Sequence, residues 1–200
     1  QAVRMRLIRK AVWKAAGACK DITAAHLQAV ADLLEKQTGR YVKLPYGLTA
    51  TRVYNVIEIM GKRKETEKIC LPIDTDRLPE NLLAGEWKFS FKKFLYDGNT
   101  DKIPRKMYTK WFDYDKIKDS LAIRNRRKGD YFVLDAAGHH KKLEDYFVNE
   151  KIPASHRDEQ LLLAGEDEIF WIVGGRMAYG TGISDATRWV LEITASNSSH

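Results

Sequence analysis

The chain has 200 residues, of which 44% are hydrophobic and 30% charged, and its formal net charge is +7. This composition supports a packed core of one or two domains and argues against a disordered chain. No apolar stretch approaches the roughly 18 residues of a membrane-spanning helix, so the sequence predicts a cytoplasmic protein without a membrane partner.

The charge is distributed unevenly along the chain. Residues 1–101 contain 18 basic and 12 acidic groups, residues 102–142 contain 12 and 5, and residues 143–200 contain 4 and 10. Such a chain can present one strongly positive surface, which is typical of phosphate binding. Ordinary solubilising lysines are the alternative explanation.

The first predicted elements form a helical hairpin. Residues 1–16 fit a helix, and a second helix is predicted over 24–37, with Asp21 or Thr23 as its cap. On the first helix one face is predicted to contain Val3, Leu7, Ile8 and Val12. The other faces contain the cations Arg4, Arg6, Arg9, Lys10 and Lys14.

The sequence then changes to the period of two that is typical of strands. Residues 41–44 and 49–59 predict a small β region that includes a hairpin, and residues 61–68 predict a turn or mobile loop. Further strands are expected at 69–73 and 87–91, separated by a polar linker, before a charged, irregular stretch over 93–106.

We expect a domain boundary near residue 120. The predicted organisation is a region over 1–119, a compact domain over 120–194 and a tail over 195–200. The fold class is α+β, in which the helical hairpin and small β region precede a C-terminal α/β domain of mixed strands and a short helix.

A basic run opens the second predicted domain. Arg124, Arg126, Arg127 and Lys128 directly precede the turn residues Gly129 and Asp130. By period two, Arg124 and Arg126 would share one face of a strand. A solvated strand face is the usual role of such a run, but arginine also binds phosphate in a bidentate manner. The run is therefore a candidate phosphate contact.

Two lysines follow at the start of a predicted helix over 141–149. Lys141 and Lys142 would oppose the dipole at that end, so a purely structural role gives them little advantage. The helix is expected to stop at Ile152, because the residue before Pro153 disfavours helical geometry. Arg157 and Asp158 would form a salt bridge or cap, or contact a nucleic acid.

These segments, together with Lys151, Ile152 and Pro153 and with the apolar run that ends in Trp171, Val173, Gly174 and Arg176, resemble a known family. It is the C-terminal domain of bacterial tRNA(Ile)-lysidine synthetase. Departures from the family pattern occur at Lys128, Ala154 and Gln160. Residues 26–59 resemble, more loosely, the central region of the same enzymes. The resemblance therefore implies that residues 1–119 are the central tRNA-binding region and residues 120–194 the lysidine synthetase C-terminal domain.

The resemblance implies a tRNA-binding fragment of an ATP-dependent ligase. The full enzyme would join lysine to the wobble cytidine of the CAU anticodon of an isoleucine tRNA, using ATP with Mg²⁺. The family's ATP loop, Ser-Gly-Gly-x-Asp-Ser, does not occur in the sequence, so we expect a non-catalytic C-terminal piece that binds no cofactor. The implied tRNA-binding residues are Arg124, Arg126, Arg127, Lys128, Lys141, Lys142, Lys151, Arg157 and Arg176.

The alternative hypothesis is a structural module or homodimer interface. In it, the strand containing Trp171 and the first helix would bury surface between two copies, and the charge would be incidental. An independent enzyme is disfavoured, since no catalytic triad or phosphate loop is evident. No metal site is expected at His139 and His140, and Cys19 and Cys70 are predicted to be reduced thiols.

Overall fold

The computed structural model describes residues 2–17, 20–61, 68–117 and 120–197. The chain divides into two compact units, Gln1–Thr66 and Glu67–His200. Both mix helices with antiparallel sheets, which confirms the predicted α+β class. Cys19 and most of the predicted loop over 61–68 lie outside the described residues.

The first unit combines a pair of helices with a three-stranded sheet. Its elements are α1 (Ala2–Ala16), α2 (Ala24–Asp32), the 3-10 turns Leu33–Glu35 and Pro45–Gly47, and the strands β1 (Tyr41–Lys43), β2 (Thr49–Val53) and β3 (Val56–Met60). The strands are antiparallel in the order β1-β2-β3, as the period of two predicts. Thr23 caps α2: its hydroxyl accepts the His26 N–H, while the His26 ring accepts the Thr23 N–H.

The buried face of α1 differs from the predicted one. Ile8 and Val12 are buried and pack with Leu27 and Val30 of α2, as expected, but Val3 and Leu7 are 71% and 64% exposed. The inward stripe is instead Met5, Ile8, Val12 and Ala16. Alanine and methionine complete that stripe at helical spacing, which leaves two apolar residues on the opposite face.

The second unit contains ten strands and three short helices among the described residues. They are β4 (Cys70–Ile73), β5 (Asn81–Ala84), β6 (Trp87–Leu95), β7 (Thr109–Asp113), α3 (Tyr114–Ile117), β8 (Leu121–Arg124), β9 (Tyr131–Val133), β10 (His140–Lys142), α4 (Leu143–Asn149), α5 (Ala154–Arg157), β11 (Leu162–Ala164), β12 (Ile169–Ile172) and β13 (Trp189–Asn197). A 3-10 turn, Thr100–Lys102, lies between β6 and β7.

Two four-stranded sheets enclose the main core of this unit. Their strand orders are β5-β6-β13-β7 and β12-β11-β8-β4, and β9 pairs with β10 in a separate hairpin. Phe89 and Ile193 from the first sheet and Ile123 and Trp171 from the second are fully buried in one cluster. A second cluster, formed by Phe132, Leu143 and Phe147 with residues of β11 and β12, packs against the hairpin and α4.

The sheet containing β11 is thus covered on both faces. This explains why Leu162, Leu163 and Ala164 are all buried instead of alternating with polar residues. It also explains the continuous apolar run at 169–173, since a strand buried on both faces needs no polar side.

Several strands lie where the sequence predicts none. β5 falls within the predicted polar linker, and β13 is the inner strand between β6 and β7. The predicted tail over 195–200 begins too early, because Ala195, Ser196 and Asn197 pair with Phe89, Lys88 and Trp87. The remaining tail residues, 198–200, lie outside the described part.

The predicted boundary near residue 120 differs from the division seen in the structure. Strand β4, before that position, pairs with β8 after it, and β6 pairs with β13. Each of the two main sheets therefore combines strands from both sides of residue 120. The second compact unit accordingly starts at Glu67.

Among the described residues, no helix combines the length and the apolar character that crossing a membrane requires.

Trp171 is the side chain on which we expect the core of the second unit to depend most. It is fully buried, its ring centroid lies 6.2 Å from that of Phe112, and its indole N–H has no hydrogen-bond partner among the described residues. Trp171→Ala should lower the free energy of unfolding by about 3–5 kcal/mol. Trp171→Phe should cost less, because it keeps a ring and leaves no acceptor unpaired. Denaturant unfolding checks both, and an alanine variant as stable as the parent would contradict the assignment.

Candidate nucleic-acid interface

The basic run starts with a buried ion pair. Arg124, the last residue of β8, is 1% exposed, and its Nη1 and Nη2 donate to the two carboxylate oxygens of Asp130 at 2.9 and 2.8 Å. The same guanidinium donates to the carbonyls of Asn125 and Glu166 at 3.1 and 3.0 Å. Its donors are directed inward, so this structure gives Arg124 a structural role instead of the predicted phosphate contact.

Asp130 also determines the shape of the basic loop, which we define as residues 125–129. Its carboxylate accepts the backbone N–H of Arg127 at 2.7 Å, and its carbonyl accepts the N–H of Leu143, the first residue of α4, at 2.9 Å. Gly129 has a φ of 98°, in the left-handed region that favours glycine. The loop is therefore fixed at both ends. Because β8 ends at Arg124, Arg126 does not share a strand face with Arg124 as the sequence predicts.

Arg126 lies between two carboxylates on the neighbouring helices. Its Nε and Nη2 are both 2.7 Å from Asp158 Oδ1, and its Nη1 is 3.6 Å from Glu144 Oε1. The side chain is 31% exposed. Partly exposed ion pairs of this kind contribute little stability, so Arg126 can exchange a carboxylate for a phosphate at small cost.

The next two side chains of the loop project into solvent. Arg127 is exposed and its Nη2 lies 3.0 Å from the sulfur of Cys70, which is itself exposed and a free thiol. Lys128 is exposed at the loop tip beside Gly129. These two cations are accessible to an approaching polyanion.

Lys141 and Lys142 lie on strand β10 and not in the first turn of a helix. They pair with Phe132 and Tyr131 of β9, and α4 begins only at Leu143. Lys142 occupies the position before the helix, where its side chain makes no capping hydrogen bond. The predicted helix start is wrong because pairing with β9 extends the hairpin through both lysines. Lys142 is exposed and Lys141 is half-buried.

Two other predicted residues lie against aromatic rings of the smaller core. The Arg157 guanidinium is 6.0 Å from the centroid of Phe147, and its Nε donates to the Ile152 carbonyl at 2.9 Å. The Arg176 guanidinium is 5.7 Å from the centroid of Phe132. Such stacking fixes the plane of a guanidinium and leaves its remaining donors for an acceptor such as phosphate.

Lys151 lies in the turn between α4 and α5. Its φ is 55°, unusual for a residue with a side chain, and the following N–H of Ile152 donates to the Phe147 carbonyl at 2.8 Å. The turn places Lys151 in an exposed position, and Pro153 then precedes α5 as the sequence predicts.

The surface around these cations also includes Tyr146. Burial, with a further contribution from Glu150, raises the pKa of its phenol, whereas Arg176 acts in the opposite direction. Tyr146 therefore stays protonated at neutral pH and can donate a hydrogen bond. The ring is edge-on to Phe132, with centroids 5.3 Å apart.

Gly174, in the apolar run that ends at Arg176, has a packing role. Its φ is 76°, and a Cβ there would lie 2.7 Å from Cε1 of Tyr108. The glycine is required because Tyr108 packs against its backbone.

His139, where the sequence predicts no metal site, is paired with a neighbouring carboxylate. His139 lies 3.0 Å from Asp135 in the β9–β10 turn, and this hydrogen bond lowers the pKa of the Asp135 carboxyl. Among the described residues, no three His, Cys, Asp or Glu side chains are grouped as a metal site would require.

An open cavity of about 340 Å³ lies on the outer face of the β5-β6-β13-β7 sheet. Its lining includes Phe94 and Trp111, and the Trp111 indole donates to Glu192 at 2.6 Å. Lys102 and Asp97, which also line it, form an ion pair with each other. Lys92, the remaining cation of the lining, is exposed, and its Nζ lies 5.7 Å from the centroid of the Phe94 ring.

Comparison with known proteins finds similarity over part or most of the chain. A family model described as the TilS substrate C-terminal domain matches residues 121–193. The chain is 32% identical over 193 residues to a tRNA(Ile)-lysidine synthase of Caldanaerobacter subterraneus subsp. tengcongensis, covering 96% of this chain and 41% of that protein. It is 29% identical over 202 residues to one of Clostridium perfringens, covering 97% and 43%. The chain therefore spans about two fifths of the length of these relatives.

Among solved structures, the crystal structure of a TILS C-terminal domain is similar to this chain. The two are 19% identical with a TM-score of 0.49, over 66% of this chain and 98% of that one.

The buried ion pair generates a stability prediction. Arg124→Met leaves the Asp130 carboxylate buried without its main partner, and should cost about 3–5 kcal/mol in unfolding free energy. Lys128→Met, a matched change at an exposed cation of the same loop, should stay within roughly 0.5 kcal/mol of the parent. Thermal and denaturant unfolding measure both. If Arg124→Met lowers the unfolding free energy as little as Lys128→Met does, the ion pair is not a structural constraint.

Proposed function

We propose, from the match of residues 121–193 to the TilS substrate C-terminal domain, that the chain is an RNA-holding part of a tRNA(Ile)-lysidine synthase. The whole enzyme would ligate lysine, with ATP and Mg²⁺, to the wobble cytidine of the CAU anticodon of an isoleucine tRNA. This chain would bind the body and acceptor arm of the tRNA. ATP and the lysine substrate would bind a catalytic domain outside the 200 residues.

The observation that supports this role most strongly is the alignment of 96% of the chain with a tRNA(Ile)-lysidine synthase. The local chemistry is consistent with it. Arg127, Lys128, Lys142 and Lys151 are all exposed, and the first two belong to a loop that the buried ion pair holds in one shape. A fixed loop loses less conformational entropy when it binds a ligand.

The role proposed for these cations is positioning. Bonds from lysine and arginine to phosphate set the register of a nucleic acid without reading its bases. Placing the anticodon within reach of a separate catalytic site would convert a loose encounter into an oriented reaction.

The alternative hypothesis, a dimerisation module, uses two surfaces: the strand containing Trp171 and the first helix. The structure argues against the first of them. Trp171 is fully buried within the core of a single second unit, so its side chain is not accessible to a second copy of the chain. The described structure therefore favours the RNA-binding role over an interface built on this strand.

A matched pair of variants tests the RNA role of the second unit. Changing Arg127, Lys128 and Lys142 together to Gln should weaken tRNA binding and reduce the slope of log affinity against log salt by roughly 2–3, about 0.7–0.9 for each phosphate that the variant no longer neutralises. Lys88, Lys92 and Lys106 are also exposed. Changing them to Gln removes the same charge and should have a smaller effect. Fluorescence anisotropy with labelled tRNA over a salt series measures both. Equal effects of the two triple variants would contradict the proposed surface.

The chain alone should not form lysidine. Incubated with tRNA, lysine, ATP and Mg²⁺, it should yield no adenylated or lysidinylated tRNA, because the sequence lacks the ATP loop. Mass spectrometry of the digested tRNA checks this. Product formation by a preparation free of full-length enzyme would overturn the assignment of catalysis to another domain.

A further inference from the structure

The candidate interface of the second unit contains almost as many carboxylates as cations. Residues 124–160, which include eight of the nine residues nominated for RNA contact, contain eight basic and seven acidic groups. A surface that only attracted a polyanion would gain from an excess of positive charge. The acidic groups among these cations therefore need an explanation of their own.

Two of these carboxylates face the guanidinium of Arg126. Its Nε and Nη2 are both 2.7 Å from Asp158 Oδ1, and its Nη1 is 3.6 Å from Glu144 Oε1. A phosphate binds arginine most strongly through two parallel N–H groups on one edge of the guanidinium. Each edge of Arg126 that could bind in this way already faces a carboxylate, so a phosphate must displace at least one of the two.

The backbone on both sides of Arg126 is held in place. The Asn125 N–H donates to the Ile69 carbonyl at 3.0 Å, and the Arg127 N–H donates to the carboxylate of Asp130 at 2.7 Å. The exchange of a carboxylate for a phosphate therefore needs only side-chain rotations. The side chains of Glu144 and Asp158 are 63% and 40% exposed, so water can solvate each carboxylate once it is released.

A purely structural role of these ion pairs is the competing explanation. Glu144 lies on α4 and Asp158 directly follows α5, so Arg126 joins the two helices. Partly exposed ion pairs contribute little stability, however, because solvent screens them and both side chains lose rotational freedom. The same carboxylates repel any phosphate that approaches Arg126. Their effect on RNA binding is therefore expected to exceed their effect on stability.

We propose that Asp158 and Glu144 are internal competitors of the RNA phosphate at Arg126 and that they lower the affinity of this surface for RNA. The inference rests on the proposed RNA-binding function and concerns the regulation of that same surface. Non-specific capture of RNA depends on unbalanced positive charge, which the two acids reduce. Arg126 binds a phosphate only where neighbouring cations such as Arg127 and Lys128 already hold the RNA and offset the cost of displacement.

The test uses the 200-residue chain and two double variants. The competitor variant is Glu144→Gln and Asp158→Asn, which keeps both side-chain shapes and removes two negative charges. The control is Asp145→Asn and Glu159→Gln, which removes the same charge from the adjacent exposed acids. Glu144 and Asp145 both lie in the first turn of α4, so the two variants lose similar helix-dipole stabilisation. Circular dichroism and melting temperature confirm that both remain folded.

Affinity for an isoleucine tRNA with a CAU anticodon is then measured by fluorescence anisotropy over a salt series. The competitor variant should bind about three- to tenfold more tightly than the control near 0.1 M salt, because the released guanidinium no longer exchanges partners. Its slope of log affinity against log salt should be steeper by roughly 0.7–0.9, the contribution of one further neutralised phosphate. In an Arg126→Gln background the same two changes should give no larger gain than the control changes, since no guanidinium is left to release.

If the competitor variant binds tRNA like the control, or if its full gain persists in the Arg126→Gln background, the inference is wrong. The RNA function is judged separately, by the weaker binding expected when Arg127, Lys128 and Lys142 are changed to Gln. If the parent chain itself shows no salt-dependent tRNA binding, the inference and the proposed function are both wrong.

Discussion

The bidentate ion pair between Arg124 and Asp130 is the constraint on which the candidate interface depends. Arg124 ends β8, and its guanidinium also binds the Glu166 carbonyl in the turn between β11 and β12. Asp130 binds the Arg127 N–H and, through its carbonyl, the start of α4. One buried pair therefore connects a central sheet, the basic loop and the helix beside it. Such pairs add little net stability compared with an apolar core, but removing one partner is costly, so their geometry is strongly held.

This arrangement separates two roles within one run of similar residues. Arg124 turns inward and shapes the loop, while Arg127 and Lys128 face solvent and Arg126 rests between carboxylates that a phosphate can replace. The second unit is nevertheless close to neutral, whereas the first unit has an excess of +8. We infer that the second unit contributes oriented contacts to RNA more than net electrostatic attraction.

The sequence predicts the fold class, the three strands of the first unit and strands β4 and β6, because their apolar residues recur with clear periods. It does not reveal β13, in which Val190 and Leu191 are both buried and break the alternation. Nor does it fix the register of Lys141 and Lys142, which depends on pairing with β9. The orientation of Arg124 could not be predicted, since a buried and an exposed arginine look the same in a basic run. On α1 the apolar residues allow two stripes, and only packing against α2 selects Ile8 and Val12.

Lysine footprinting tests the account most directly, because it reads the lysines of the unmodified chain all at once. The chain is treated with a lysine-acetylating reagent in the presence and absence of tRNA, and modification at each lysine is quantified by mass spectrometry. The account predicts that tRNA protects Lys128 and Lys142, while Lys88 and Lys92, exposed in the same unit, stay reactive. Unchanged modification of Lys128 and Lys142 at saturating tRNA, or protection confined to Lys88 and Lys92, would contradict it.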